Sequence, residues 1–439
     1  LRQRRRLGLV PNLPRDAAPA RGYERPAMSS ASSRPAIAFI LAVAVLDVMA
    51  MGIVIPVLPA LIEGFVGSEA AAGYWNGIMV AIWAGMQFLC SPIIGSISDR
   101  FGRRPTILIS TAGLTLDWIL MALAPDLWWL AVGRMIGGIT SSSFTAVFAY
   151  MADITEPDQR ARGYGLVGAA FSAGFIAGPL IGGVLGEISP RAPFWAAAVL
   201  SGITFLYGLF ILPESLPQER RMAFSWTRAN PFGALKLLRS HPELSGLAVV
   251  NFLLYFAHHV FSVVFVLYAA HKHGWTPMYL GFALALAGIL EMIVQAGLVG
   301  PAVKRWGDRR TMVTGLVMGS LGLASMGLAP TGLLFTLALF PNALWALAMP
   351  TLQSLMTRRV SESEQGQLQG ANMSVGSIAG IASPLFFGWM YEMTVGDAPG
   401  VSFLIAAGIL AAGAVLAAFV SRRATLAETA TGAETQTPA

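Results

Sequence analysis

Gly95-Ser96-Ile97-Ser98-Asp99-Arg100-Phe101-Gly102-Arg103-Arg104-Pro105 is a charged turn caught between two long apolar runs. It reads as the short cytoplasmic connection between two membrane helices. Positive charge at such a turn orients a helix pair, Gly95 and Gly102 permit a tight reversal, and Pro105 suits the start of a helix. An altered copy opens at Gly300.

The two copies keep one constant spacing: Gly95 with Gly300, Arg100 with Arg305, Gly102 with Gly307 and Arg104 with Arg309. Further on, Leu123-Ala124-Pro125 answers Leu328-Ala329-Pro330, Gly165 answers Gly370, Pro179 answers Pro384 and Gly183 answers Gly388. Two halves repeated in the same direction describe an all-α membrane protein, twelve transmembrane helices in two six-helix halves. The charges do not repeat: Asp99 and Arg103 become Lys304 and Asp308.

Composition agrees with this. A chain of 439 residues that is 55% hydrophobic and only 12% charged, with mean hydropathy +0.64, has more apolar surface than a soluble core can hide. The single cysteine, Cys90, leaves no internal disulfide and no thiolate cluster for a metal, and reads as a small packing residue. The net charge of +6 is scattered over short loops and not gathered on one face, which argues against nucleic acid. No Walker glycine loop and no nucleophile constellation are present, so neither nucleotide-driven work nor catalysis is expected.

In chain order, residues 1–34 read as a disordered basic tail with eight arginines. Met28 stands just before the first apolar run, so the leading 27 residues read either as upstream reading frame or as part of the chain. Pro11, Pro14, Pro19 and Pro26 count against an amphipathic transit peptide. A span needs ~20 apolar residues, and the runs between charge clusters supply twelve. They fall near 36–62, 75–98, 105–125, 128–152, 162–187, 192–213, 244–270, 275–301, 310–329, 332–357, 366–391 and 399–421. Residues 35–213 and 244–423 form the two bundles, 214–243 a cytoplasmic linker with at most a short surface helix, and 424–439 a disordered end. Of the 29 Lys and Arg residues, Arg134 lies inside a span, Arg191 and Lys272 lie in loops on one side, and the other 26 share the opposite side and the tails. Both termini are therefore expected in the cytoplasm.

Charged residues inside the spans are few: Asp47, Asp117, Arg134 and Glu291, with His258 and His259 as titratable additions. A charge at mid-bilayer costs ~2.5–3.5 kcal/mol on the mildest scale, so each is read as functional, against the plainer reading of interhelical glue. Counting ~1.5 Å per residue puts Asp117 about 12 Å and Arg134 about 9 Å from the outer ends of consecutive helices, close enough in depth to pair. Asp47 and Glu291 have no sequence-local cation and read as the proton carriers. Gln295 shares a helix face with Glu291 and is expected to bond it. Tyr255, His259 and Ser262 make a polar stripe in an aromatic helix, a cavity wall or simply a packed face. Gly174, Gly178, Gly182 and Gly186 form a flat ridge on span five, Gly133, Gly137 and Ser141 a similar one on span four, and Pro179 offers a bend about which two halves could rock.

These blocks resemble a known family. Residues 95–105 look like motif A of the major facilitator superfamily, and Gly174 to Gly183 resembles the Gly-Pro motif of its drug/proton antiporters. From about Ala36 to Arg423 the chain is similar to the bacterial tetracycline/proton antiporters, through Asp117-Trp-Ile-Leu-Met-Ala-Leu-Ala-Pro, Gly133-Arg134-Met-Ile-Gly-Gly-Ile-Thr, Phe175-Ile-Ala-Gly-Pro-Leu-Ile-Gly-Gly and Gln365-Gly-Gln-Leu-Gln-Gly. The resemblance implies that Asp47 and Asp117 are essential acids with Arg134 their cation, and that Gln87 is a polar cavity residue. It also implies that Asp99, Arg103 and Asp153, with Gly95 and Gly102, form a cytoplasmic gate that grips the positive start of span eleven near Gly366. Two departures concern the substrate: Glu291 stands where the family has a span-eight histidine, and Gly319 where it has a span-nine aspartate.

The expected function is secondary active export of amphipathic drug-like compounds, tetracyclines among them, in exchange for protons, from a bacterial inner membrane. Small molecule, protons and lipid are the only partners implied, with no cofactor, metal, nucleic acid or protein partner. A proton symporter importing a sugar or metabolite and a receptor that moves nothing are the rivals.

Overall fold

The computed structural model describes residues 30–434, apart from 142–143, 157–158, 227–229, 232, 236, 239–241 and 362–363. The described chain is helical, and eleven stretches are long and apolar enough to cross a membrane. One of these, Pro277–Leu328, has 52 residues, which at ~1.5 Å per residue is about 78 Å and more than twice a bilayer core. It breaks at Gly307, whose φ of 76° and ψ of 163° no helix accommodates. Twelve crossings result.

We number them α1 (Ile37–Val66), α2 (Glu69–Phe101), α3 (Arg103–Leu123), α4 (Leu127–Ile154), α5 (Gly163–Ile188), α6 (Ala192–Ile211), α7 (Leu244–His273), α8 (277–306), α9 (308–328), α10 (Gly332–Thr357), α11 (Gln365–Thr394) and α12 (Val401–Ser421). Gly102, the partner of Gly307 in the repeat, takes the same unusual backbone, φ 110° and ψ 161°, between α2 and α3. Only glycine adopts such values without strain, which is why both turns hold one.

Packing repeats as well. In the first half α1 lies on α5 and α6, and α3 on α4 and α6; in the second α7 lies on α11 and α12, and α9 on α10 and α12. The glycine ridge of α5 does what its spacing predicts. A Cβ on Gly174 would stand 2.6 Å from the Val45 carbonyl oxygen, one on Gly178 2.7 Å from that of Met49, and one on Gly182 would overlap the Ile53 carbonyl. Without side chains, α1 seats directly on the α5 backbone.

Two boundaries differ from expectation. The first helix begins at Ser30, five residues inside the expected tail, and residues 1–29 of that tail lie outside the described residues. At the other end the helix of α12 continues to Glu434, so 424–434 are helical where a disordered end was expected, and 435–439 lie outside the described residues. Once a helix is nucleated, extension through Ala and Glu is cheap. The described parts of the linker hold single 3₁₀ turns at Gln218–Arg220 and Gly233–Leu235.

Gly182→Val should therefore unseat α1. We expect a lower thermal unfolding midpoint in detergent, by an overpacking penalty of about 1–3 kcal/mol. Gly297→Val, which meets open space, should leave the midpoint unchanged.

Candidate functional site

The halves meet along two lines, α2 on α11 and α5 on α8. Each line is built on one contact made twice: Gly77 of α2 lies against the Pro384 carbonyl of α11, and Gly281 of α8 against the Pro179 carbonyl of α5. Taking the arginine-rich turns as cytoplasmic, these contacts lie in the outer part of the molecule. Three polar bridges close the same side. Glu69 of α2 receives the Tyr391 hydroxyl at 2.7 Å and lies 2.6 Å from His271 Nδ1. Asn76 donates to the Val263 carbonyl at 3.0 Å, where α7 widens into a π turn (Phe261–Phe265). At the end of α5, Glu187 accepts the Met278 N–H at 3.1 Å, capping the start of α8.

The cytoplasmic side is different. Gly95, Gly165 and Gly168 on the first half, and Gly297, Gly300 and Gly366 on the second, have no atom within 4 Å of where a Cβ would stand. The direct bridges between the halves described above thus all lie on the outer side. Glu291, whose residue is exposed, sits on the α8 face that carries Gly281 and Gly288, the face turned toward α5. The expected bond is present, Gln295 donating to Glu291 at 3.2 Å, where α8 also changes to a π turn (Val294–Leu298).

The other intramembrane charges are enclosed in the first half. Asp117 has no exposed surface and lies 3.6 Å from Arg134 Nη2, confirming the pairing of α3 with α4. Gly133 and Gly137 make the room for it: a Cβ on Gly133 would stand 2.9 Å from Asp117 Oδ1, and one on Gly137 would overlap Oδ2. The glycine spacing on α4 thus serves a carboxyl group as well as helix packing. Arg134 also donates to Met121 Sδ at 2.9 Å and lies over the Trp118 ring, 5.2 Å from its centre. Neither Asp117 oxygen receives a hydrogen bond among the described residues. Asp47 is 2% exposed with an unpartnered Oδ1, and Arg134 reaches Asp117 and not Asp47.

The cavity candidates are spread over three helices. Gln87 donates to Ser141 Oγ at 3.5 Å inside the first half. On α7, His259 Nδ1 lies 2.7 Å from the Tyr255 carbonyl, with both rings against α11 at Gly380 and Gly376. A Cβ on Gly319, where the resemblance implied an aspartate, would stand 2.8 Å from Trp345 Cγ, so an indole fills that place.

The gate residues assemble as implied. Arg103 binds Asp99 Oδ1 at 2.7 Å, Asp153 Oδ2 at 3.1 Å and Ser98 Oγ at 3.1 Å. Among the described residues, no hydrogen bond or ion pair joins them to the start of α11. The linker covers the turn instead: Glu214 Oε1 accepts the Arg103 and Leu216 N–H groups at 2.9 and 3.0 Å, and the Met222 N–H reaches the Asp99 carbonyl at 3.0 Å. Glu214 was not singled out from sequence; its signal is an acid three residues past the end of α6. At the repeat-related positions of the second half every sign is reversed. Lys304, Asp308 and Arg358 stand where Asp99, Arg103 and Asp153 stand in the first, and Asp308 pairs with Arg358 at 2.7 Å.

Arg103→Asp alone should therefore destabilise the first half, by roughly 1–3 kcal/mol for a partly exposed pair. The full inversion Asp99→Lys, Arg103→Asp and Asp153→Arg copies the second half and should recover most of the loss in thermal unfolding of the purified protein. Equal damage from both would show that the sign itself is required.

A sequence profile describing the Major Facilitator Superfamily matches residues 40–298 and 247–438. The chain is 37% identical over 377 residues to the tetracycline resistance protein, class C, of Escherichia coli, covering 86% of this chain and 95% of that one. It is 35% identical over 362 residues to the class G tetracycline resistance protein of Vibrio anguillarum, covering 82% and 92%. Among solved structures, the nucleoside transporter NupG superposes with a TM-score of 0.73 at 14% identity, over 88% of this chain and 98% of that one.

Proposed function

The chain belongs to the Major Facilitator Superfamily and is a multi-pass membrane transporter of small molecules, and from that premise we propose that it exports amphipathic drug-like compounds from a bacterial inner membrane in exchange for protons. The observation that supports the reading is an acid within a span, Glu291, exposed on the α8 face that turns toward the other half, while the direct bridges between the halves lie on the outer side. A membrane-depth carboxyl reachable from one side at a time is what proton exchange needs.

The cycle follows from the contacts. In the state seen here substrate enters from the cytoplasm while Glu291 is open to the same side and can release its proton there. Closing the cytoplasmic side brings Asp99, Arg103 and Asp153 against the positive start of α11 and separates Glu69 from Tyr391 and His271. Pro179 and Pro384 at the two crossing points are the pivots. With the outer side open, substrate leaves and the acid is reprotonated. Asp47, Asp117 and Arg134 belong to the same proton circuit, buried in this state. The relatives' names make tetracyclines the first compounds to try, and the Glu291 and Gly319 departures make a shifted substrate range the expectation.

In proteoliposomes with an imposed pH difference, Glu291→Gln and Asp47→Asn should each remove proton-coupled efflux while leaving the protein folded. Full activity in both variants would refute the assignment of carriers, and substrate moving with the proton, not against it, would make the protein a symporter.

A further inference from the structure

Four amide side chains, Asn251 of α7, Gln353 of α10 and Gln369 and Asn372 of α11, come together with the Tyr255 phenol around a cavity of about 170 Å³. Methionine and leucine complete the wall, and among the described residues no Asp, Glu, Lys or Arg lines it. Gln353 Nε2 donates to Gln369 Oε1 across α10 and α11. Asn251, 2% exposed, reaches the Asn372 carbonyl at 3.5 Å. Asn372 Oδ1 is buried with no hydrogen-bond donor among the described residues.

The recess faces the cleft. Gln369, Met373, Gly376 and Gly380 follow one another along α11 at helical spacing, and a Cβ on Gly380 would stand 3.6 Å from Ala84 of the other half. Toward the cytoplasm, where the halves part, Met373 is 63% exposed on this stripe. The recess therefore borders an exposed stretch of α11.

We propose that this recess holds the uncharged polar edge of an aromatic substrate: neutral amide, phenol or enol groups bonded by the amides, with the ring system against the thioethers. A fixed ammonium would leave its shell of water for a wall with no counter-charge, so the recess selects against it. Neutral donors and acceptors, one of them unanswered, are complementary to groups that offer both. Thioethers suit flat, polarisable rings of varied outline. At this size the recess takes one edge, and the remainder of the molecule lies in the cleft. Its place on the export path rests on the reading above; binding there does not.

Full-length protein in lipid nanodiscs would be titrated with tetracycline, whose phenol and keto-enol edge is uncharged and lies away from its ammonium, and with tetraphenylphosphonium, an aromatic cation with no such edge. Asn372→Leu should weaken tetracycline about tenfold and leave tetraphenylphosphonium within about twofold. The unfolding midpoint should not fall, because the oxygen removed has no protein partner; a purely structural amide would lower it. Gln353→Leu, nearer the opening, should repeat the selectivity. Unchanged tetracycline affinity, equal loss of both probes, or no tetracycline binding by the parent protein would each overturn the proposal. Proton-coupled efflux by the same preparations separates the two readings: efflux indifferent to Asn372→Leu leaves the exporter and removes the recess, whereas amide-dependent binding without efflux keeps the recess and removes the exporter.

Discussion

An ion pair at the cytoplasmic end of each half ties the turn that reverses the chain to the helix end beside it. In the first half the cation is on the turn, at Arg103, and the acid on α4, at Asp153; in the second the acid is on the turn, at Asp308, and the cation on α10, at Arg358. The inversion shows what the fold requires at this place, which is opposite charge across the junction and not a particular sign. Because the glycine beside each pair has a backbone conformation closed to other residues, turn geometry and charge pairing are fixed together. Each half can then move as one body, which rocking between two openings presupposes.

Closure on the outer side comes from backbone against backbone. Gly77 on Pro384 and Gly281 on Pro179 bring the halves as near as helices can come, and such contacts pivot well because no side chains interlock. The polar bridges around them are few and separable: a carboxylate shared by Tyr391 and His271, a carboxylate capping a helix, and an amide on a π-turn carbonyl. Because a carboxylate and a helix end are stabilised similarly by water, little is lost when these part. The arrangement holds one state without trapping it.

Much of this was legible in the chain. The constant spacing of Gly102 and Gly307, the glycine ridge of α5 and the pairing of Asp117 with Arg134 all follow from local rules, period, depth and charge, that lipid enforces strictly. What escaped depends on residues distant in sequence. Glu214 caps α3 from beyond α6, and the Glu69 to Tyr391 bond joins residues at opposite ends of the chain. The filling of the Gly319 site by Trp345 needs the α9 to α10 packing to be known. The role of Gly133 and Gly137 was half visible: their spacing announces close packing, but only the coordinates show that the approaching group is a carboxyl.

The divergence of the two copies bears directly on what the protein can carry. In the first half the intramembrane charges are enclosed and, at Asp117 and Arg134, paired, so that wall has little to offer a ligand electrostatically. In the second half an indole occupies the place of an acid, one exposed carboxyl remains at Glu291, and a neutral amide recess opens nearer the cytoplasm. A molecule with two equal walls would hold a substrate no better on one side of the cleft than on the other. Here the exposed carboxyl and the neutral amides lie on the same half at different heights. On the reading proposed above, a substrate held by its neutral edge would leave the acid unoccupied, and coupling would pass through the closing of the cleft without a contest for one carboxylate.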